Sequence, residues 1–499
     1  MNHMRGASKA SSRVWFTAGV GTVNMLSAAI LVVLLAVSLN SLTTFPDSFA
    51  DEGFYAQAGL ALATTGTFKN FDLPDRPCFK AGDGIHARLG AAVFGFLSRV
   101  SGESITTARA VSFAFVWIAV LLWLPITKAL GAPPFLGALL FAASERVFWA
   151  SHVFRPEAAL ILMNTVLILA IIMTERLKSQ QTLCFGRGLL NAPLVLAHGN
   201  GLVSALVNTV DLLTRRGQPK RPSSWVRVSL YGVGSLLAVG LFYLVQVRPV
   251  GGWRACAAQF QVAAQYHLGS GLWDMLRSDL ELRWGKELFV VGGSAAAKGL
   301  RLIWYAVIFV TAAHSAGWGR GVPRRLALAA IGTVLGYTLL VRDRADIHIA
   351  EMVPFFVASF LAWLAAAWPH PDRRRVASVA TATLLIAGLG LCLHHAIRYR
   401  PQAYTPKPQL TARAIRDYLE SPTGRALPTP RIVIGNDSLW FWLHDTGLVL
   451  PVRLVKNSAP RAATMIVVEH STKLPWLDRC VPNHADAERR FITYVCPAP

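Results

Sequence analysis

The chain of 499 residues is dominated by recurring apolar runs, at about 16 to 39, 105 to 127, 133 to 153, 157 to 174, 183 to 197, 199 to 213, 225 to 247, 299 to 317, 326 to 341, 348 to 368 and 376 to 395. Most of these eleven runs approach the roughly 20 residues that a helix needs to cross the hydrocarbon of a bilayer. Backbone in that medium must satisfy its hydrogen bonds internally, so the runs predict about eleven transmembrane helices. With 53% hydrophobic and 15% charged residues, and a mean hydropathy of +0.42, an ordinary soluble enzyme is excluded. The first run follows Arg5, Lys9 and Arg13 and is too long for a signal-peptide core, so it reads as an uncleaved first span.

The formal charge of +22 comes from 49 Lys and Arg against 27 Asp and Glu. On a soluble chain this excess would suggest nucleic acid. Here it falls in short clusters: Lys128; Arg176 and Lys178; Arg215, Arg216, Lys220 and Arg221; Arg320, Arg324 and Arg325; and Arg373 to Arg375. These occupy alternate loops, as cytoplasmic loops do, so the charge reads as topology and no nucleic-acid partner is expected. The N-terminus is then cytoplasmic. Residues 183 to 213 make two short crossings hinged at His198-Gly-Asn200, because only an even number keeps the flanking basic clusters on one side. The opposite face receives a first loop, 41–104, a turn at Arg155, a loop from 248 to 298, and the tail. Ile85 to Val100, carrying His86, Arg88 and Arg99, and Trp273 to Trp284 read as amphipathic helices at the membrane surface.

The expected domains are a transmembrane unit, 1–398, and a periplasmic α/β domain, 399–499. In the latter, a helical pattern from Leu410 to Leu419 precedes β-branched runs at Arg431 to Ile434, Val449 to Val455 and Met465 to Val468. None of the six cysteines forms a CxxC pair. Cys480 and Cys496 alone look pairable, and a disulfide there is permitted if the tail lies outside the cytoplasm. Cys184 and Cys392 read as apolar fillers.

Two acidic turns carry the candidate chemistry. Asp51 and Glu52 open a helix directly after the first span, and Glu157 follows Arg155-Pro156 at the start of another. Carboxylates at helix starts are favoured by the dipole alone. Two such turns on one aqueous face are harder to explain by capping twice, and a carboxylate there could act as a general base on a lipid-borne substrate. Glu145 and Arg146, adjacent within an apolar run, read as ion-pair formers facing the bundle interior. His348 and Glu351 have the spacing of two metal ligands on one helix face, though helix packing accounts for them as well.

In the first 215 residues the pattern resembles the GT-C class of polytopic glycosyltransferases, in the branch of the aminoarabinose transferases and protein O-mannosyltransferases. The resemblance rests on Asp51-Glu52-Gly-Phe-Tyr55, the surface helix before Gly102, Ala108-Arg109-Ala110, Arg155 to Glu157, and Ala197-His-Gly-Asn-Gly201. It implies an integral membrane enzyme of the bacterial inner membrane that moves a sugar from a polyprenyl-phosphate carrier to a lipid, glycan or protein acceptor. Asp51 would deprotonate the acceptor hydroxyl for an inverting displacement. Glu52 and Glu157 would position the acceptor or Asp51, or hold a divalent cation together with Asp51. Tyr55 belongs to the same motif, and the phosphate would meet Lys80, His86, Arg88, Arg155, Arg342 or Arg344. No other cofactor is implied. The competing expectations are a multi-pass transporter or lipid flippase and an inactive assembly partner; carboxylates gathered in loops at one face, rather than at the midplane, favour surface chemistry.

Overall fold

The computed structural model describes residues 18–46, 50–66, 88–176, 180–214, 223–254, 256, 272–290, 294–341, 345–399, 407–429, 431–435, 439–443, 448–451, 464–468, 474–488 and 490–496. Its helices begin with α1 (Ala18–Ser41), α2 (Ala50–Thr65), α3 (Arg88–Ser101), α4 (Ile105–Leu130), α5 (Pro134–Ala142), α6 (Glu145–Ala150) and α7 (Pro156–Arg176). They continue with α8 (Gln180–Leu189), α9 (Asn191–Ala197), α10 (Gly201–Thr214), α11 (Ser223–Phe242), α12 (Leu272–Ser278), α13 (Ala295–Trp318), α14 (Val322–Leu340), α15 (Ile349–Ala367) and α16 (Pro371–Arg398). Among the described residues, seven helical segments are long and apolar enough to cross a membrane, and they lie in α1, α4, α7, α11, α13, α15 and α16.

The expected runs appear as helices, but several are divided. The third expected span breaks at Ser144 into α5 and α6, and the fifth and sixth form a hairpin of short helices turning at His198 to Asn200. The hairpin turns where the sequence places the hinge, while the break at Ser144 falls just before Glu145 and Arg146, which read as charges inside one continuous apolar run.

Burial orders the bundle from inside to outside. Of the seven long apolar segments, that of α15 is enclosed almost throughout, and that of α7 is the next most covered. By contrast α1 leaves Met25, Leu26, Val32 and Val33 open, an apolar surface suited to lipid. Because the core is apolar on all sides, its few polar groups must find partners within it. Arg187 does so through Asn208 Oδ1 at 2.9 Å and Asp211 Oδ2 at 2.8 Å, and Arg325 reaches Asp211 from α14.

Glycines set two of the closest helix approaches. A Cβ on Gly188 of α8 would stand 2.2 Å from the Tyr231 carbonyl, and one on Gly234 of α11 would stand 2.3 Å from that of Phe185. α2 and α3 cross in the same way at Gly59 and Gly95. Small residues at such crossings let backbones meet where no hydrophobic drive separates helix from lipid.

After α16, the helix α17 (Lys407–Glu420) and two short turns of helix, α18 (Pro422–Arg425) and α19 (Trp440–Leu443), accompany a five-stranded sheet. Its strands β1 (Arg431–Gly435), β2 (Leu448–Pro451), β3 (Thr464–Val468), β4 (Val481–Ala485) and β5 (Phe491–Val495) lie in the order β2-β1-β3-β5-β4. The first three pair in parallel, and β5 is antiparallel to both β3 and β4. Cys480, just before β4, is joined to Cys496, just after β5. One apolar cluster runs from this sheet (Val433, Ile466, Phe491) through α17 (Ala412, Ile415) to α2 and α3 (Ala56, Phe94) and to Phe154. The tail and the first-loop helices therefore share a core and stand on one side of the bundle.

Replacing Gly234 by valine is expected to cost about 1–3 kcal/mol, because backbone would have to move to admit the side chain. Gly232→Ala, where a Cβ meets open space, should leave stability unchanged. Thermal unfolding of the two variants in detergent checks this.

Candidate functional site

The two most enclosed of the long apolar helices, α7 and α15, begin close together. Pro156 occupies the first position of α7, where its missing N–H costs nothing, and Glu157 follows in the first turn. α15 is entered through a tight turn, Asp346 to His348, and carries Glu351 in its first turn. Both carboxylates therefore lie at the positive ends of helix dipoles. His348 Nδ1 is 3.7 Å from Glu157 Oε1 and 3.7 Å from Glu351 Oε2, so it stands between them.

The junction is closed by the hairpin corner between α9 and α10. His198 Nδ1 meets Glu351 Oε1 at 2.6 Å, and the Asn200 amide donates to Glu351 Oε2 at 3.0 Å. The Tyr337 hydroxyl, from the end of α14, donates to the same oxygen, and Asn164 holds the Glu351 carbonyl at 2.8 Å. Arg155 grips Glu157 from Nε and Nη2 at 3.1–3.3 Å. Arg283 lies over the Tyr337 ring, 5.5 Å from its centroid, and pairs with Asp279 at 2.6 Å.

A second junction adjoins this one through the turn ending at Arg155. Arg109, fully buried in the first turns of α4, donates from Nε and Nη2 to the two oxygens of Glu52, each at 2.9 Å. Its other N–H groups reach the carbonyls of Leu42 and Phe45 at 3.2 Å and of Pro46 at 3.1 Å. All five guanidinium N–H donors are thus used. The backbone N–H of Phe154 donates to Glu52 Oε1 at 2.9 Å. One ion pair thereby ties the end of α1, the start of α2 and the Phe154 turn together.

Asp51 is the second residue of α2, beside Glu52 in the chain; its side chain, like Lys80, His86, Arg342 and Arg344, lies outside the described residues. Tyr55 is half-buried against the cluster shared with the tail. Arg88 is buried and donates to the Val245 carbonyl, and burial lowers its guanidinium to about 10, which still leaves it charged at neutral pH. Arg155 and Glu157 are brought together, and Glu157 lies 3.7 Å from His348.

Glu145 and Arg146 do not pair with each other. Glu145 accepts from Arg301 at 2.5–2.6 Å and contacts His395 Nε2 at 2.6 Å. Arg146 reaches Asp346 Oδ2 at 2.6 Å and also Glu287, which accepts from Tyr305 at 2.8 Å. Asn200 lies in the hinge marked by the sequence, whereas Tyr337 and Glu287 carried no sequence signal, because nothing local to them marks their partners.

No protein-family model matches the sequence, and no curated protein matches it significantly. Solved structures do match. ArnT from Cupriavidus metallidurans in the apo state superposes with a TM-score of 0.58 at 15% identity, covering 96% of this chain and 98% of that one. The same protein bound to undecaprenyl phosphate gives 0.58 at 14%, with the same coverage. The oligosaccharyltransferase of Archaeoglobus fulgidus, in complex with Zn and sulfate, gives 0.54 at 14%, covering 93% of this chain and 73% of that one. The chain has the GT-C fold. ArnT and the oligosaccharyltransferase are GT-C glycosyltransferases, so the resemblance read from the first 215 residues extends, as fold, over nearly the whole chain.

Arg109→Met should lower stability by about 3–5 kcal/mol, since it leaves Glu52 buried and uncompensated. Pairing it with Glu52→Leu should recover part of that loss, because both charges then leave the interior together. A double-mutant cycle on thermal unfolding measures the coupling.

Proposed function

We propose that the protein is a membrane glycosyltransferase. It moves a sugar from a polyprenyl-phosphate carrier to an acceptor hydroxyl at the outer face of the bacterial inner membrane, with inversion. The observation that carries this reading is the Arg109–Glu52–Phe154 junction. It fixes the start of α2, where Asp51 stands, against the turn that leads into Arg155 and Glu157. A fold shared with ArnT, which has been solved bound to undecaprenyl phosphate, supports the choice of donor.

In this reading Asp51 is the general base. It takes the acceptor proton as the hydroxyl oxygen attacks the anomeric carbon, while the carrier phosphate departs with the bonding electron pair. Glu52, already holding Arg109 with both oxygens, acts as a positioning residue for the helix start. Tyr55 lines the approach, and Arg155 with Glu157 borders the site. Lys80, His86, Arg88, Arg155, Arg342 and Arg344 are the candidate partners of the phosphate, to which charge-assisted bonds would contribute most as it leaves. A divalent cation would fall to Asp51 and Glu157, since both oxygens of Glu52 are engaged by Arg109, and would supply a Lewis acid at the same phosphate. The acceptor is a lipid, glycan or protein hydroxyl.

The membrane orientation belongs to the same proposal. The cytoplasmic N-terminus follows from the basic loops, and the disulfide of the tail suits an oxidising compartment. The transmembrane unit is taken as 1–398 and the periplasmic domain as 399–499.

Asp51→Asn should reduce transfer by about 10²–10⁴-fold while leaving expression and lipid binding intact. Mass spectrometry of copurifying lipids should find a polyprenyl phosphate bearing one sugar enriched in that variant; full activity in it would remove Asp51 from the mechanism. For the orientation, a cysteine at the exposed Thr65 should react with an impermeant thiol reagent applied from outside. One at the exposed Arg320 should react only after the membrane is opened.

A further inference from the structure

The corner that closes the α7–α15 junction has a donor set of its own, separate from the acidic residues of the first loop. His198 from the α9–α10 hairpin, His348 from the entry of α15 and Glu351 from its first turn each offer one ligand atom, all within 4.8 Å of one another. His348 is 3% exposed and Glu351 fully buried, while the His198 side chain keeps 13% of its surface. The imidazole centroids are 5.4 Å apart, one on either side of the same carboxylate.

Two imidazoles and one carboxylate match the nitrogen and oxygen preference of zinc, which takes such donors at roughly 2.0–2.2 Å and leaves a fourth position open in reactive sites. Donors around a tetrahedral ion stand roughly 3.3 Å apart, so modest ring rotations bring these three to ligand geometry. Around them is the second layer that metal sites use to fix their ligands. Tyr337 and Asn200 donate to Glu351 Oε2, and Asn164 holds the Glu351 backbone. Arg155 holds the neighbouring Glu157.

We propose that His198, His348 and Glu351 form a zinc-type divalent metal site that clamps the α9–α10 corner to the start of α15. The site does not depend on the transferase reading, and its test reads metal rather than transfer. The full-length protein purified in mild detergent should carry about one zinc per chain by elemental analysis. After removal of zinc with EDTA, titration with Co²⁺ should give the visible absorption of a four- or five-coordinate ion. Added Zn²⁺ should raise the melting temperature of the stripped protein.

His198→Ala and His348→Asn should abolish the bound zinc and the cobalt absorption, while Glu157→Gln should keep both. His198 lies at a partly exposed corner, so its variant reads the site even if His348→Asn misfolds. A wild-type protein that carries no zinc, gains no cobalt absorption and shows no thermal shift would overturn the proposal and leave a hydrogen-bonded corner. Metal that survives both histidine variants but is lost in Glu157→Gln would overturn it too, and would place the ion at the acidic start of α7.

Discussion

Arg109 and Glu52 form the pair on which the arrangement at this end of the bundle depends. Burying two charges costs several kcal/mol for each, and the cost is offset only where every hydrogen-bonding group is met. Here that condition holds. Both carboxylate oxygens accept from the guanidinium, and its remaining N–H groups reach three carbonyls that follow α1. The Phe154 N–H adds a further bond to Glu52 from the turn before α7. The pair fixes register: a slip of one residue in α2 or α4 would leave an uncompensated charge, so the position of Asp51 on α2 is set by electrostatics as much as by packing.

The same economy recurs in the two neighbouring junctions. Glu351 gathers His198 and Asn200 from the α9–α10 corner and Tyr337 from α14, and Glu145 gathers Arg301 and His395 from two further helices. Each carboxylate stands in the first turn of its helix and accepts bonds from elements far away in sequence. Contacts among apolar helices in lipid are weakly directional, so buried polar groups of this kind supply much of the geometric specificity.

Much of this architecture was legible in the sequence. Apolar run lengths predicted the helices, and Asp51-Glu52 and Arg155 to Glu157 marked the end where polar groups gather. The β-branched runs anticipated three of the five strands; β4, Val481-Pro-Asn-His-Ala485, has the composition of a turn and carried no strand signal. The break at Ser144 was missed because Glu145 and Arg146 read as charges inside one apolar run rather than as the start of a new helix. His348 and Glu351 read as a bare spacing on one helix, and their meaning changed only when a third ligand arrived from a hairpin about 150 positions earlier in the chain. A partner chosen by folding leaves no local trace, and that is why ion pairs and ligand sets were the least legible features.

The apolar cluster that joins α2 and α3 to the tail also bears on biogenesis. Ala56 and Phe94 are synthesised before most of the spans, and Ile415, Ile466 and Phe491 after them. Throughout synthesis of the intervening spans, the first loop must wait with part of its core uncovered, held only by the membrane surface and by Arg109. Contacts so distant in sequence form late and slowly. The tail therefore acts as a closing element, and a chain released before its final strands would carry a first loop that had inserted but not set.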